Sequence, residues 1–306
     1  MNRLRPIVFG IALAACLVVA VVVVAGTRSS GAAASSRVCH PGDRMVSYSV
    51  DGNRHRALLH VPRGIRGRVP LVLAFHGAYS DPLGAATYYR LSRPAGRDHF
   101  AVLYPQASHD KFWQLRREQG EDLEAVGVLL DRVERAPCMD RSRVYATGVS
   151  NGGGFAARLG CELSDRIAAI APVAGGYAPP SRCHPARPLP VLEVHGTSDD
   201  VVPYGGKPVD RSGTLPSFIS VRRFLREWAA LDGCRGGPAQ TTPRPGVTRL
   251  RWDRCAGGAV VEHLRLADTE HGWPGGKDQQ GDPTGVKAAE EVWSFLSRFR
   301  LPSGQS

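Results

Sequence analysis

The chain predicts an α/β fold, a mainly parallel central sheet flanked by helices. Three observations predict it. Segments rich in β-branched and aromatic residues alternate with segments of helical spacing, which is the signature of βαβ units. Val69 to Phe75 is a nearly continuous apolar run, as expected of a strand buried on both faces of a parallel sheet. Arg143 to Phe155 reads as a strand, a tight turn and a helix start. There Val144, Tyr145 and Thr147 suit a strand, and Ala156, Ala157, Arg158 and Leu159 suit a helix.

The elements follow in order. Arg44 to Val50 and Arg54 to Val61 read as strands joined at Asp51-Gly52-Asn53, a hairpin signal. The apolar strand Val69 to Phe75 ends at His76-Gly77-Ala78, and Ala101 to Tyr104 is a short strand. Asp122 to Val133 has helical spacing at Leu123, Val126, Leu129, Leu130 and Val133. Val144 to Thr147 is a strand, Gly153 to Leu163 a helix, and Ile167 to Ala174 and Val191 to Val194 are strands. Phe218 to Leu231 is a helix, Thr248 to Trp252 and Val260 to Leu266 are strands, and Ala288 to Phe299 is the closing helix. Gly236 to Val247, rich in Gly, Pro and Thr, reads as a surface loop.

The 306 residues divide into a leader, 1–34, and one domain, 35–306, of a length that suits a single large α/β unit. In the leader, Arg3 and Arg5 precede an apolar run from Ile7 to Gly26, and small residues follow. This is the layout of a secretory signal, with Ala32-Ala33-Ala34 as the cleavage site. The run is also long enough to span a bilayer as an uncleaved anchor, and Leu13-Ala14-Ala15-Cys16 resembles a lipidation site. Each alternative puts the domain outside the cytoplasm, and any membrane contact runs through this segment alone. The formal charge is +11, of which the leader's three arginines account for three. The basic residues are spread along the chain and form no run or nucleic-acid motif, so nucleic acid is not an expected partner. Of seven cysteines, six lie after Cys16, and an even number outside the cytoplasm suggests disulfides. Spacing favours Cys161 with Cys183 and Cys234 with Cys255, leaving Cys39 for Cys138. No C-x-x-C or H-E-x-x-H occurs, so neither a metal nor another cofactor is expected.

The turn after Thr147 spells G-x-S-x-G, with Gly148, Ser150 and Gly152. This is the nucleophile elbow of α/β-hydrolases, which lifts a serine hydroxyl above the edge of the sheet. Such a serine needs a general base, and the base an orienting acid, in chain order Ser, Asp or Glu, His. Asp199 lies just beyond the strand Val191 to Val194, with Asp200 as its rival, and His271 lies beyond the last strand. His263 sits in an alternating strand and reads as a strand surface residue, while His76 and His195 end apolar strands and read as buried turn residues. His40, His55, His60, His99, His109 and His184 have no catalytic context. The oxyanion hole needs two backbone N–H groups: one from Asn151, the other from the loop after His76-Gly77, at Ala78 or alternatively Tyr79.

These residues carry a resemblance. His76-Gly77, Ser150-Asn151-Gly152-Gly153-Gly154, Cys161-Glu162-Leu163-Ser164-Asp165 and Ile170 to Gly175 fall in the order seen in secreted polyhydroxybutyrate depolymerases and feruloyl esterases. So do His195-Gly196-Thr197-Ser198-Asp199-Asp200-Val201-Val202-Pro203-Tyr204 and His271-Gly272-Trp273-Pro274-Gly275. The chain resembles that family from about Arg44 to Phe299. The resemblance implies Ser150 as nucleophile, His271 as base and Asp199, two residues past His-Gly, as the triad acid. Relatives often carry His-Thr-Trp-Pro-Gly where this chain has Gly272 in place of the threonine. The expected activity is hydrolysis of an ester substrate, with Trp113, Tyr79, Tyr204 and Trp273 as candidates to line its site. The alternatives are acyl transfer to a cell-envelope acceptor, or a non-catalytic binding protein on the same fold.

Overall fold

The computed structural model describes residues 39–108, 111–116, 118–178, 183–208, 217–279 and 282–302. The leader expectations, including those at Ala32-Ala33-Ala34 and Cys16, and the position of His109 lie outside the described residues. The strands are β1 (Gly42–Val50), β2 (Asn53–Val61), β3 (Val69–Phe75), β4 (Ala101–Pro105), β5 (Met139–Val149), β6 (Ala169–Val173), β7 (Val191–Gly196), β8 (Ala239–Arg244), β9 (Val247–Trp252) and β10 (Val261–Leu266). The helices are α1 (Pro82–Tyr89), α2 (Ser92–Asp98), α3 (Glu121–Glu134), α4 (Asn151–Glu162), α5 (Val221–Leu231) and α6 (Ala288–Leu296). All ten strands form one sheet in the order β1-β2-β4-β3-β5-β6-β7-β10-β9-β8. The six central strands, β4 to β10 in that order, are parallel, and an antiparallel hairpin closes each end.

Side chains alternate across the strands, so each buried strand feeds two cores. In β3, Leu71, Leu73 and Phe75 join the layer beneath α3, α4 and α5, with Leu129, Phe155, Phe224 and Trp228. Val72 and Ala74 join the opposite layer beneath α1, α2 and α6, with Tyr89, Ala95, Val292 and Phe295. Because both faces are covered, all seven β3 residues are buried, which is why that run reads as continuously apolar. The β1–β2 hairpin turns on two residues, Asp51 (φ 47°) and Gly52 (φ 81°), with Val50 paired to Asn53. Both positive φ values match the turn that suits the twist of the flanking strands.

Four differences from the sequence expectations have physical causes. Helices α1 and α2 carry no long apolar period. Their signal is local: Asp81 caps α1 by accepting the Gly84 N–H at 2.9 Å, and Pro82 opens its first turn. Strand β8, expected as loop, is an edge strand exposed at every residue, so it shows no burial alternation, and its Pro243 is tolerated there. Helix α5 starts three residues later than expected, because Ser220 caps it and Phe218 instead pairs with Lys207. His263, expected on a strand surface, is fully buried. Strand β10 lies between β7 and β9 and is covered on both faces, so its polar residues mark buried networks. Its neighbour Glu262 is also buried and meets Arg249 at 2.7 Å, Arg298 at 2.8 Å and Arg251. Three disulfides join Cys39–Cys138, Cys161–Cys183 and Cys234–Cys255.

Candidate active site

The site lies at the carboxyl ends of the parallel strands, where loops meet across the sheet edge. Strand β5 turns into α4 at Ser150, whose backbone is held at φ 58°, ψ −125°. A non-glycine residue in this region is strained, and the surroundings must enforce it. They do so by close approach. A Cβ on Gly148 would sit 2.5 Å from the Phe75 carbonyl oxygen, and one on Gly152 only 2.1 Å from the same atom. Both flanking positions therefore require glycine, which lets β3, β5 and α4 converge under the serine. The Ser150 N–H donates to the Val173 carbonyl at 3.0 Å, tying the turn to β6.

Beside the serine, the chain leaving β3 is fixed by buried polar groups. His76 Nε2 accepts the Ala107 N–H at 3.2 Å, so its ring proton sits on Nδ1, 2.8 Å from the Gly77 carbonyl. Burial lowers the His76 pKa, which keeps that ring neutral. The Tyr79 N–H donates to the Lys111 carbonyl at 2.9 Å. Trp113 Nε1 donates to the His76 carbonyl at 2.9 Å.

Asp199 follows β7 and is buried. Its Oδ1 accepts the N–H groups of Val201 (3.0 Å) and Val202 (2.7 Å), and its Oδ2 lies 2.7 Å from His271 Nδ1. Burial would raise this carboxyl's pKa, but the bonds from His195 and His271 hold it at about 2, so it is an anion wherever a histidine titrates. Asp200 is exposed and is not the partner of His271. Behind Asp199, His195 Nε2 is 3.2 Å from Oδ2, and His195 Nδ1 is 2.8 Å from Glu193 Oε1. His271 itself follows β10. The next residue, Gly272, has φ 152°, and a Cβ there would fall 2.0 Å from Gln279 Oε1 and 2.7 Å from the Tyr88 hydroxyl. Tyr88 and Gln279, hydrogen-bonded to each other, occupy the space a threonine would need.

Ser150 and His271 open into one cavity of about 420 Å³, with Ala78, Tyr79, Tyr88 and Val149 among its walls. Of the four aromatic candidates, Tyr79 lines this cavity and is exposed. The other three do not line it. Trp113 is buried, stacked on Phe155 at 4.7 Å, and holds the chain that leaves β3 through the His76 carbonyl. Trp273 is buried, stacked on Tyr89 at 4.3 Å, and its backbone N–H donates to the Tyr88 hydroxyl. The Tyr204 hydroxyl lies 2.9 Å from His263 Nε2, and its ring stands edge-on to His195. Loop position alone did not separate lining residues from supporting ones. Tyr88, Tyr89, Glu193 and His263 were missed. For Glu193 a signal existed, since a carboxylate in the middle of an apolar strand must have a buried partner. Among the described residues no cluster of His, Cys, Asp or Glu is arranged to hold a metal ion.

Comparison with known proteins places the chain among esterases. Residues 55–178, which include the elbow and the end of β3, match the family model of the esterase PHB depolymerases. Feruloyl esterase B of Piromyces equi is 29% identical over 259 residues, 81% of this chain and 46% of that protein. The bifunctional acetylxylan esterase/xylanase XynS20E of Neocallimastix patriciarum is 26% identical, over 79% of this chain and 33% of that protein. The chain thus spans about half of the first relative and a third of the second. Among solved structures, the acetyl xylan esterase from Aspergillus awamori superposes with a TM-score of 0.60 at 12% identity, covering 83% of this chain and 99% of that one, a likeness of fold. The chain has an α/β-hydrolase fold and is similar to polyhydroxybutyrate depolymerases and feruloyl esterases, most directly over residues 55–178.

Proposed function

We propose that this chain is an extracytoplasmic carboxylic ester hydrolase working through Ser150, His271 and Asp199. The observation that carries the reading is the 2.7 Å bond from His271 to a buried, ionised Asp199, with His271 and the strained Ser150 facing one cavity. His271 takes the Ser150 proton as Oγ attacks the ester carbonyl. Asp199 holds the proton on Nδ1, so that Nε2 is free to act as base, and stabilises the imidazolium that forms. The Asn151 and Ala78 amides receive the oxyanion. Engagement of the Tyr79 amide with Lys111 favours Ala78 over Tyr79 in that role. The alcohol leaves with the proton from His271, and water, activated by the same histidine, releases the acid.

The cavity wall supports a class of substrate. Apart from His271 it is built of small, aliphatic and tyrosine side chains with no other ionisable acid or base at ordinary pH, which suits an uncharged acyl group, aromatic or aliphatic. The relatives named feruloyl and acetylxylan esterases fall in that class. Three disulfides and the signal-like leader support a site of action outside the cytoplasm. A series of p-nitrophenyl esters from acetate to octanoate, with a feruloyl ester beside it, tests the reading. Hydrolysis by the parent and a loss of about 10³-fold or more in Ser150→Ala are expected. A folded parent without activity on any of them would contradict it.

A further inference from the structure

The triad reading leaves a buried ionisable cluster unused. Next to Asp199, and linked to it through His195, lie Glu193, His195 and His263, all buried. Glu193 and His195 stand two residues apart on β7 and so project from the same face of the strand. His195 Nε2 lies 2.8 Å from the Val202 carbonyl oxygen and 3.2 Å from Asp199 Oδ2. Both are acceptors, and a carbonyl can be nothing else, so Nε2 carries a proton. His195 Nδ1 lies 2.8 Å from Glu193 Oε1. That carboxylate also receives the Tyr177 hydroxyl at 2.9 Å on Oε1 and faces His263 Nδ1 at 2.6 Å from Oε2. His263 Nδ1 also lies 3.1 Å from the Glu193 backbone carbonyl, an acceptor only, so it carries a proton and sets its positive end beside Oε2. Between that N–H and the Tyr177 hydroxyl Glu193 is ionised, and Nδ1 of His195 carries a proton as well.

We propose that Glu193 holds His195 as a buried imidazolium and that His195 is a positioning residue for the triad, fixing Asp199 Oδ2, the oxygen that also meets His271. This deepens the esterase reading and rests on it. Asp199 is then shared between two imidazoles, one a permanent cation and the other the base that becomes cationic during turnover. The role of Glu193 follows from charge. An imidazolium alone beneath Asp199 would cancel the negative charge that supports His271 in its protonated form. Paired with Glu193, it is a net-neutral donor that fixes the carboxylate while leaving the cluster's net charge negative. Burial alone would lower the His195 pKa, but the two carboxylates raise it to about 10, and burial alone would raise that of Glu193, which the two histidines hold at about 2. The remaining neighbours fit. His263 Nε2 is 2.9 Å from the Tyr204 hydroxyl, and the Tyr204 ring stands edge-on to His195 with centroids 5.9 Å apart. One anchor of Asp199, His195, is thus set on a central strand, beside those in the loops, which limits the excursions of a carboxylate whose misplacement by about 1 Å is costly in rate.

The test combines ¹⁵N NMR of histidine-labelled protein with kinetics of Glu193→Gln, which keeps the side-chain shape and removes the charge. His195 is assigned by its loss in His195→Gln. In the parent both His195 ring nitrogens are expected to be protonated at pH 8. In Glu193→Gln one of those protons is lost at pH 8, and kcat for a p-nitrophenyl ester falls by about tenfold with KM within about twofold. A parent spectrum showing a single protonated nitrogen on His195 overturns the proposal, and this reading decides the matter if Glu193→Gln does not fold. A folded Glu193→Gln with parental kcat also overturns it. A parent that hydrolyses no ester would refute the esterase reading instead, and the NMR result would still report the state of His195.

Discussion

Asn151 grips the backbone of Trp113 at two points: its Oδ1 accepts the Trp113 N–H at 2.6 Å, and its Nδ2 donates to the Trp113 carbonyl at 3.0 Å. The same residue offers its own backbone N–H at the start of α4, beside the serine. Trp113 in turn holds the His76 carbonyl, at the root of the loop that carries Ala78. The two amides assigned to the oxyanion are therefore joined through two side chains, those of Asn151 and Trp113. Replacing Asn151 with Ala keeps its backbone amide and breaks the grip. The expected result is a loss of about 1–3 kcal/mol in stability, since two buried backbone groups lose their partners, and a fall in kcat of about 10-fold or more, by displacement of the Ala78 side. Thermal unfolding and steady-state kinetics on the same variant check both.

Gly152→Ala is the most severe small change available near the site. Its Cβ would approach the Phe75 carbonyl oxygen at 2.1 Å, a backbone atom in a central strand that cannot swing aside. A destabilisation above about 3 kcal/mol, or no folded product, is expected. Denaturant unfolding with the disulfides intact measures it.

Tyr79 is a test of the rim. It is exposed, meets Phe112 edge-on at 6.1 Å, and its backbone amide stays bonded to Lys111 whatever the side chain. Tyr79→Ala should leave Tm unchanged within about 0.5 kcal/mol of stability. KM for an aryl ester should rise by about three- to tenfold with little change in kcat, the pattern of lost uniform binding.

A pH effect on stability is written in Asp232. It is fully buried, its Oδ1 accepts the Leu189 N–H at 2.8 Å, and burial pushes its pKa up to about 7, partly opposed by that bond and by Arg187. An unfolded carboxyl titrates near 4. Between about pH 4 and 7 the folded chain therefore holds a proton that the unfolded chain releases, so this group's contribution falls as pH rises through that window and is flat above it. Asp232→Asn, which keeps the acceptor and never ionises, should be more stable than the parent by about 1–3 kcal/mol at pH 8 and nearly equal to it at pH 4.5. Chemical unfolding at the two pH values gives the difference.

The central sheet and the order of the triad candidates were legible in the sequence because both rest on local chemistry. The run Val69 to Phe75 is apolar on both faces, and G-x-S-x-G is dictated by backbone crowding at Gly148 and Gly152. What was not legible depends on long-range packing. His263 alternates with its neighbours as a half-exposed strand would, yet β7 and β9 bury it. Trp113 and Trp273 sit in loops, where a large aromatic serves equally well as wall or as foundation, and only the fold shows both to be foundations. The edge strand β8 has no buried face to leave a pattern. The departure at Gly272 is explained only by Tyr88 and Gln279, distant in sequence, which fill its space.

The central claim is that Ser150 becomes covalently acylated with His271 as its base. The most direct measurement is mass spectrometry of the protein after treatment with a fluorophosphonate, which captures an activated serine as a stable adduct. A single adduct on the peptide carrying Ser150 is expected, formed in step with the loss of ester hydrolysis and slowed by about 10³-fold or more in His271→Ala. Full loss of hydrolysis with Ser150 unmodified, or equal labelling of Ser150 with and without His271, would contradict the account.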